Sequence, residues 1–593
     1  MPVAPAAAHP ARGFAPPGAA APPAPGPRPA PALRPTAWVA ALGLWAGAAL
    51  AQTPAVVPSA EQLAPRPALR TDSEQLPPRP LPPRELEKPQ DELTLEVRGF
   101  TLPPGAPPEL VAALPALTAP YLGPRRSYDD LVNAAADITR FLQRELGFYL
   151  GYAYLPEQSP QDGLIRIEVL EGRLDRIELD WPAQLRVRRE VVEAYLARLR
   201  PGEILRVELI ERVVFLLNDL RGITVRFDVQ AGATPGTARL KVSGRPEDPW
   251  SGKVDADANG SRFLGLYRVG ALLAGNSLAG RGDSLTLNAL SSDTGGLLFA
   301  LLGYSLPVGH DGWKLGSSLS MVRYKLDPAQ FPLGVNGDAV SLSVNALYPW
   351  RRSRNLNVFM VGNLDNKQHA DRQDVARSVQ RRSINSLTLG LSGDLRDSLG
   401  GGAVSTFEAN LAHGELRHRG GMPGGLDDAP RFTKLGLAGN RLQNLVDGRM
   451  LLYAALRGQW ALDNLDSSEQ FRAGGPDGVR AFAPGEGTGD SGVVATLELR
   501  LLPPEAWLGR WARELVASVF FDHAALQLRH EPATQAARTD NRQRLGGAGV
   551  ALSWERPRSF AARLSVAVPS TGQARSDTAQ RNPRVYAQLS WFY

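Results

Sequence analysis

The side chains this chain could use for chemistry are few. It holds seven histidines (His9, His310, His369, His413, His418, His523 and His530) and no cysteine. Lack of cysteine removes disulfides, thiolate metal sites and thiol nucleophiles together. His413 and His418 fall close together, but no carboxylate cluster stands beside them at ligand spacing, so they read as hairpin residues and not metal ligands. No G-x-S-x-G, Walker or dinucleotide fingerprint occurs in a strand–turn–helix setting. The expectation is a protein without catalytic apparatus, cofactor or metal. One stretch stands apart: "FRAGGPDGVRAF" (471–482), where glycines and a proline mark a loop and Val479 and Phe482 frame a single guanidinium, Arg480. By composition it is a turn carrying an arginine. The elements around it decide whether it is more.

The chain has 593 residues, too many for one core, so several domains are expected. Net charge is +6 with the basic residues scattered, and no basic stripe interleaved with aromatics speaks for nucleic acid. The long apolar run "AWVAALGLWAGAALAQ" starts at Ala37, follows Arg12, Arg28 and Arg34, and ends in Ala49-Leu50-Ala51. A basic approach, a short apolar core and an A-x-A site read as a secretory signal within a leader of residues 1–51. Residues 52–91 are proline-rich; "LPPRPLPPRELEKP" can hold neither a helix nor a ladder and reads as a spacer.

Two mixed units follow. In residues 92–171, "LTLEVRGF" (93–100) is a strand and "PPELVAALPAL" a short helix. A second helix starts at the N-cap Ser127, with Asp129 and Asp130 in its first turn. Leu131, Ala134, Ala135, Ile138, Phe141 and Leu142 share a face, and Gly147 ends it. "FYLGYAYL" and "LIRIEVLEG" complete a β-α-α-β-β order. Residues 172–246 repeat it: strand 174–180, helices 189–199 and 207–220, then strands "ITVRFDV" and "ARLKVSG". Each is a sheet-plus-two-helix domain of about 75–80 residues.

Over 249–593 helical periodicity gives way to period two. In "SLSVNAL" (341–347) Leu342, Val344 and Ala346 alternate with Ser341, Ser343 and Asn345; Leu387, Leu389 and Leu391 do the same in "SLTLGLSGD". One face is apolar and the other small and polar, which suits lipid outside and a watery or plugged lumen inside; only a closed barrel leaves no unpaired edge in lipid. The length allows about sixteen antiparallel strands at about 21 residues per strand and connection. The chain ends "VYAQLSWFY", with Val585, Ala587, Leu589, Trp591 and Tyr593 on one face. "KQHADRQDVARSVQRRS" (367–383) reads as a long solvated loop and "GEGTGDSG" (485–492) as a flexible loop tip.

Two such units ahead of a barrel resemble the outer-membrane transporters of two-partner secretion, of the haemolysin/filamentous-haemagglutinin type. The resemblance covers nearly all of the mature chain. It implies that the small units are polypeptide-transport-associated (POTRA) domains, an α+β pair followed by a transmembrane antiparallel β-barrel. "NGSRFLGLYRVGALLAGNSLAGRGDSLTL" (259–287) is similar to the family's first barrel hairpin, and "VFFDHA" (519–524) to its later Phe-x-Asp strand. "LDSSEQFRAGGPDGVRAF" (465–482) resembles its long sixth loop, which folds back into the lumen. Carried over by position, Arg480 pairs with Asp522, and Gly474, Gly475, Val479 and Phe482 shape the loop. A bidentate guanidinium–carboxylate pair fixes both position and angle. Ala481 stands where the pattern has glycine, so a turn needing positive φ there would be strained. Leu589, Trp591 and Tyr593 match the terminal signal that the barrel-assembly machinery recognises. An N-terminal plug helix is also implied, for which the prolines leave only "SAEQLA" as a short candidate.

The implied function is an outer-membrane pore of a Gram-negative bacterium, its N-terminal domains in the periplasm, secreting an exoprotein that is unfolded in the periplasm. Its surroundings are the lipid bilayer, and no nucleic-acid partner is expected. Capture by strand addition or in a helix groove fits such domains, and partner folding outside would drive transport. The alternatives are a barrel-assembly insertase, whose relatives carry three or five POTRA units against the two counted here, and a diffusion porin, which lacks such domains.

Overall fold

The computed structural model describes residues 94–593 apart from 161, 333, 420–427, 447, 533–539, 578 and 580, together with Val57, Pro58, Leu63 and Lys88. The leader and most of the proline-rich stretch lie outside the described residues.

The first unit runs β1 (Leu95–Val97), β2 (Gly99–Thr101), α1 (Pro108–Thr118), β3 (Gly123–Arg126), α2 (Tyr128–Arg144), β4 (Tyr152–Tyr154), β5 (Leu164–Arg166) and β6 (Glu168–Leu170). Helix α2 starts where the cap chemistry places it. Ser127 Oγ accepts from the Asp130 N–H at 3.2 Å, while Asp130 Oδ2 accepts from the Ser127 N–H at 2.9 Å. This reciprocal box satisfies two amides that no helical carbonyl can reach. Those hydrogen bonds from Ser127, the backbone one first, hold the Asp130 carboxyl below its ordinary value. Leu131, Ala134, Ala135, Ile138 and Leu142 form the buried stripe, facing Val97, Leu110 and Ile165. Strand β3 is an addition to the expected order. It is "GPRR", too short and charged to show a β pattern, and is made a strand by antiparallel pairing with β1.

The second unit comprises β7 (Arg173–Asp180), α3 (Arg189–Leu196), α4 (Val207–Asn218), β8 (Ile223–Ala231) and β9 (Thr237–Pro246). Strand β9 is central, parallel to β7 and antiparallel to β8. Val192, Leu196, Ile210, Val213 and Leu217 pack on Leu174, Val225, Leu240 and Val242. Each fully buried side chain of this kind contributes about 1.5–3 kcal/mol. Buried Asn218 at the end of α4 donates to the Val214 and Val225 carbonyls and accepts from the Val225 N–H at 2.6 Å, tying helix to sheet.

Sixteen strands then close an antiparallel barrel. They are β10 (Trp250–Asp257), β11 (Arg268–Asn276), β12 (Ser284–Ser292), β13 (Leu297–Val308), β14 (Trp313–Lys325), β15 (Val335–Arg352), β16 (Leu356–Gln373), β17 (Ser378–Asp397), β18 (Ala403–Arg419), β19 (Arg431–Val446) and β20 (Met450–Ala461), followed after a long loop by β23 (Ser491–Leu501), β24 (Leu515–Gln527), β25 (Arg542–Arg556), β26 (Phe560–Thr571) and β27 (Arg584–Phe592). The loop between β20 and β23 has its own small ribbon, β21 (Phe471–Arg472) with β22 (Thr488–Gly489). Closure pairs Lys253–Asp257 of β10 with Gln588–Phe592 of β27.

The alternation maps onto the two faces as the sequence predicts. Leu342, Val344, Leu387, Leu389 and Leu391 are exposed on the outer wall, while Ser341 and Ser386 are buried toward the lumen. The stretch 367–383 is not a solvated loop. It forms the ends of β16 and β17, which pair from Leu356–Leu395 to Gln373–Ser378. Lys367, Asp371 and Arg382 are buried lumenal partners while Asp374 and Arg377 lie in the exposed turn between the strands, so most of this polar run belongs to strands.

The second unit docks on the barrel turns at its own end. Arg352 donates from Nε and Nη2 to the two oxygens of Asp219, at 3.0 and 2.8 Å, and from Nη1 to Asn357. Arg212 of α4 donates to the carbonyls of Pro349 and Asp311, and the Arg188 and Arg221 amides donate to Gly280 and Gly282. The turns after β11, β13 and β15 therefore share one support.

Candidate functional site

The loop 462–490 folds inward against the barrel wall; Ala473, Val479, Ala481 and Phe482 are buried with Phe520, Ala524 and Leu545. The Gly474 N–H donates to Glu486 O and the Gly475 N–H to Phe482 O, while the Val479 N–H donates to Ala473 O at 2.7 Å. A β-carbon on Gly474 would lie 2.5 Å from Ala483 O, and Gly475 has φ +119°, so both positions need glycine. Together these bonds make a tight bend with Arg480 at its inner side.

The Arg480 guanidinium, 3% exposed, donates from Nε to Asp522 Oδ2 and from Nη2 to Asp522 Oδ1, each at 2.8 Å. Its backbone N–H adds a third bond to Oδ2 at 3.1 Å. Nη1 donates to Glu498 Oε2 at 2.8 Å, a partner the sequence did not suggest. The ring of Phe520 lies flat beneath, with Cζ 3.3 Å from its centroid. Thr496 Oγ1 also donates to Asp522, and Arg500 to Glu498. The wall residues share strands β23 and β24, and period two puts Thr496, Glu498 and Arg500 on one face opposite Phe520 and Asp522. Two carboxylates and an aromatic face thus enclose one cation, the geometry in which arginine binds tightly.

Ala481 is not strained. Its φ is not positive, and its methyl packs against the wall where Gly547 of β25 leaves room; a β-carbon on Gly547 would sit 2.5 Å from it. Phe482 is fully buried and its carbonyl accepts from Tyr586 Oη at 2.6 Å.

Three further anchors hold the loop. Glu469 accepts from Lys367 Nζ at 2.7 Å and lies 2.8 Å from Lys434 Nζ, all inside the lumen. Asp466 lies 2.9 Å from Arg382 Nε, while Arg382 and Tyr324 both donate to Asp371 at 2.6 Å. Glu486 is 1% exposed and accepts from the backbone amides of Arg575, Ser576 and Asp577, from Ser576 Oγ and from Gln543. So "GEGTGDSG" is no free loop tip, because its carboxylates Glu486 and Asp490 are buried and bonded. The sequence signal for Glu486 was an acidic residue in a glycine-rich stretch, which is common in exposed loops as well, and Asp466 and Glu469 carried no mark of their own.

The described part of the proline-rich stretch also reaches the lumen. Val57 and Leu63 pack beside Phe263, Phe299 and Tyr324. Arg472 Nη2 donates to Val57 O at 2.7 Å, and Asn288 donates to Leu63 O. Leu63 lies within the "SAEQLA" candidate; its neighbours on both sides lie outside the described residues.

At the closing strand, Val585, Trp591 and Tyr593 are exposed on the outer wall. Leu589 is on the same face and registers with Ala256 of β10.

Residues 236–553 match the family model described as haemolysin secretion/activation protein ShlB/FhaC/HecB, and residues 110–172 match the ShlB-type POTRA domain. The chain is 26% identical over 453 residues to the heme/hemopexin transporter protein HuxB of Haemophilus influenzae, covering 76% of this chain and 79% of that one. It is 27% identical over 407 residues to the outer membrane transporter CdiB of Dickeya dadantii, covering 66% and 69%. The solved CdiB of Escherichia coli superposes with a TM-score of 0.64 at 20% identity, over 86% of this chain and 92% of that one.

Proposed function

Because the chain belongs to the haemolysin secretion/activation family ShlB/FhaC/HecB and is an outer-membrane transporter of two-partner secretion, we propose that the lumen loop anchored by Arg480 is the element its exoprotein must displace to cross. The observation that carries this reading is position: residues 462–490 fold into the barrel against its wall, and Arg480 holds their bend to Asp522 and Glu498. A chain in transit needs that volume. The loop must therefore move or yield, and the strength of the anchor sets how readily it does so.

Residues 92–171 and 172–246 act in this reading as two POTRA domains that capture the unfolded partner in the periplasm. The second, bolted to the turns through Arg352–Asp219, holds the captured chain at the mouth. Capture by strand addition suits β8, which lies at the edge of its sheet with only β9 beside it. Folding of the partner outside supplies the driving force. Leu589, Trp591 and Tyr593 form the signal that the barrel-assembly machinery reads, a role that fits the exposure of Trp591 and Tyr593 at the end of the closing strand, with Leu589 half-buried on the same face.

The test is secretion of the cognate exoprotein into the medium. Arg480→Ala at normal outer-membrane level is expected to change secretion strongly, and full wild-type secretion by that variant would refute the role given to the loop. Deleting Tyr593 is expected to lower the amount of folded barrel in the outer membrane.

A further inference from the structure

The turn between β23 and β24 differs from its neighbours. The turns after β13, β15 and β25 span only residues 309–312, 353–355 and 557–559, whereas this one spans 502–514 and reads "LPPEAWLGRWARE". It contains the short helix α5 (Glu505–Leu508) and a following helical turn, and it lies at the POTRA end of the barrel.

Its position is built, not loose. Glu514 accepts from Trp554 Nε1 at 2.9 Å and from Arg556 Nε and Nη2 at 3.0 and 3.1 Å, and the Glu555 N–H donates to Glu514 O. Trp511 packs on Trp554, with centroids 5.2 Å apart, and Trp554 meets Phe560 edge-on at 4.7 Å. Trp554 shares the outward face of β25 with Val550 and Leu552, both exposed, and Phe560 registers beside Trp591. The turn is therefore drawn up against the outside of the wall, continuous with the face that meets lipid. Trp507 is 79% exposed, with Leu508 beside it. Two large apolar side chains held out from a rigid turn would be costly in water and are at home at a bilayer interface.

Charge lies at the same level. Arg510 stacks on Trp511 with its charge also acting on Glu514, Arg558 lies in the turn 557–559, and both are exposed with no carboxylate at ion-pair distance among the described residues. Arg556 is neutralised by Glu514. We propose that residues 503–514 form an interfacial foot in the periplasmic leaflet, where Trp507 and Leu508 enter the acyl boundary and Arg510 and Arg558 bind the phosphate headgroup of an anionic phospholipid. Strand β27, which closes the barrel against β10, is reached from the foot through Trp554 of β25 and Phe560 of β26, which registers beside Trp591.

The test uses the full chain reconstituted into phosphatidylcholine vesicles carrying brominated phosphatidylglycerol or, at equal mole fraction, brominated phosphatidylcholine. The fluorescence of Trp507 is taken as the difference between the wild type and Trp507→Phe, with folded barrels verified by heat-dependent gel mobility. Brominated lipid is expected to quench Trp507, with an enrichment of about thirtyfold for phosphatidylglycerol, the factor that two arginines at an anionic surface supply. The double variant Arg510→Ser/Arg558→Ser should reduce phosphatidylglycerol to the phosphatidylcholine level while quenching persists. Absence of quenching by either lipid would overturn the proposal and leave the foot as a water-facing surface for a soluble partner. Equal quenching by both lipids, or a preference that survives the double variant, would overturn the headgroup site.

Discussion

Replacing Arg480 by alanine removes three side-chain donors from two buried carboxylates, and the consequences can be worked through group by group. Glu498 keeps Arg500 at 2.9 Å and Arg563 at 3.4 Å, so it stays compensated. Asp522 is fully buried and, among the described residues, keeps Thr496 Oγ1 and the backbone N–H of residue 480. The loss is therefore concentrated on Asp522, where breaking one partner of a buried pair costs about 3–5 kcal/mol. The stacked face of Phe520 loses its cation as well. The loop as a whole stays tethered, because Glu469, Asp466 and Glu486 hold it elsewhere. What opens is the bend. Hydrogen exchange over residues 473–482 reads this directly, since the Val479 and Phe482 amides are bonded within it. Their exchange is expected to accelerate by about two to three and a half orders of magnitude, while segments on the outer strands keep wild-type protection. Arg480→Lys should give an intermediate result, because a single ammonium cannot span Asp522 and Glu498 as the planar fork does. Unchanged protection of 473–482 in a folded Arg480→Ala barrel would refute the reasoning.

Glu469→Gln leaves two ammoniums, Lys367 and Lys434, without their shared carboxylate in the lumen, at a cost of about 3–5 kcal/mol; exchange over 465–472 should accelerate, and Lys367→Met should restore part of the protection. Ser127→Ala removes the capping box of α2 and should cost about 1 kcal/mol, seen as faster exchange in the first turn of that helix with the barrel unaffected. Burial, and next the charge of Asp219, push the Tyr195 phenol up to about 12. Its folded value stands above the unfolded one near 10, so its stabilising contribution is whole below about pH 10 and lost as pH rises through about 12. Thermal melts of the second unit should weaken across that window, and Tyr195→Phe should flatten the change.

Much of this architecture was legible because it is written in local, repeating terms. The Ser127–Asp130 box and the apolar stripe of α2 specify a helix within one or two turns of chain. The alternation at Ser341–Leu347 specifies which face of a strand meets lipid, and its repetition through the last part of the chain requires closure. Arg480 was recognisable for a different reason: its loop and the Phe-x-Asp strand carrying Asp522 resemble two motifs of one family, and that resemblance implied the pair.

The remaining anchors had no such local mark. Glu498 looks like any polar residue of an alternating strand, and Glu486 like a charge in a glycine-rich turn. Lys367 and Arg382 lie in a run whose composition is that of a solvated loop, until pairing of β16 with β17 turns both inward. Glu469 meets Lys367 across 102 positions of chain, a separation no spacing rule covers. Local periodicity determined the helices, the strands and the two faces of the wall. Which charges share the lumen was decided by barrel closure and strand register, because only these set which inward side chains stand opposite one another around a common interior.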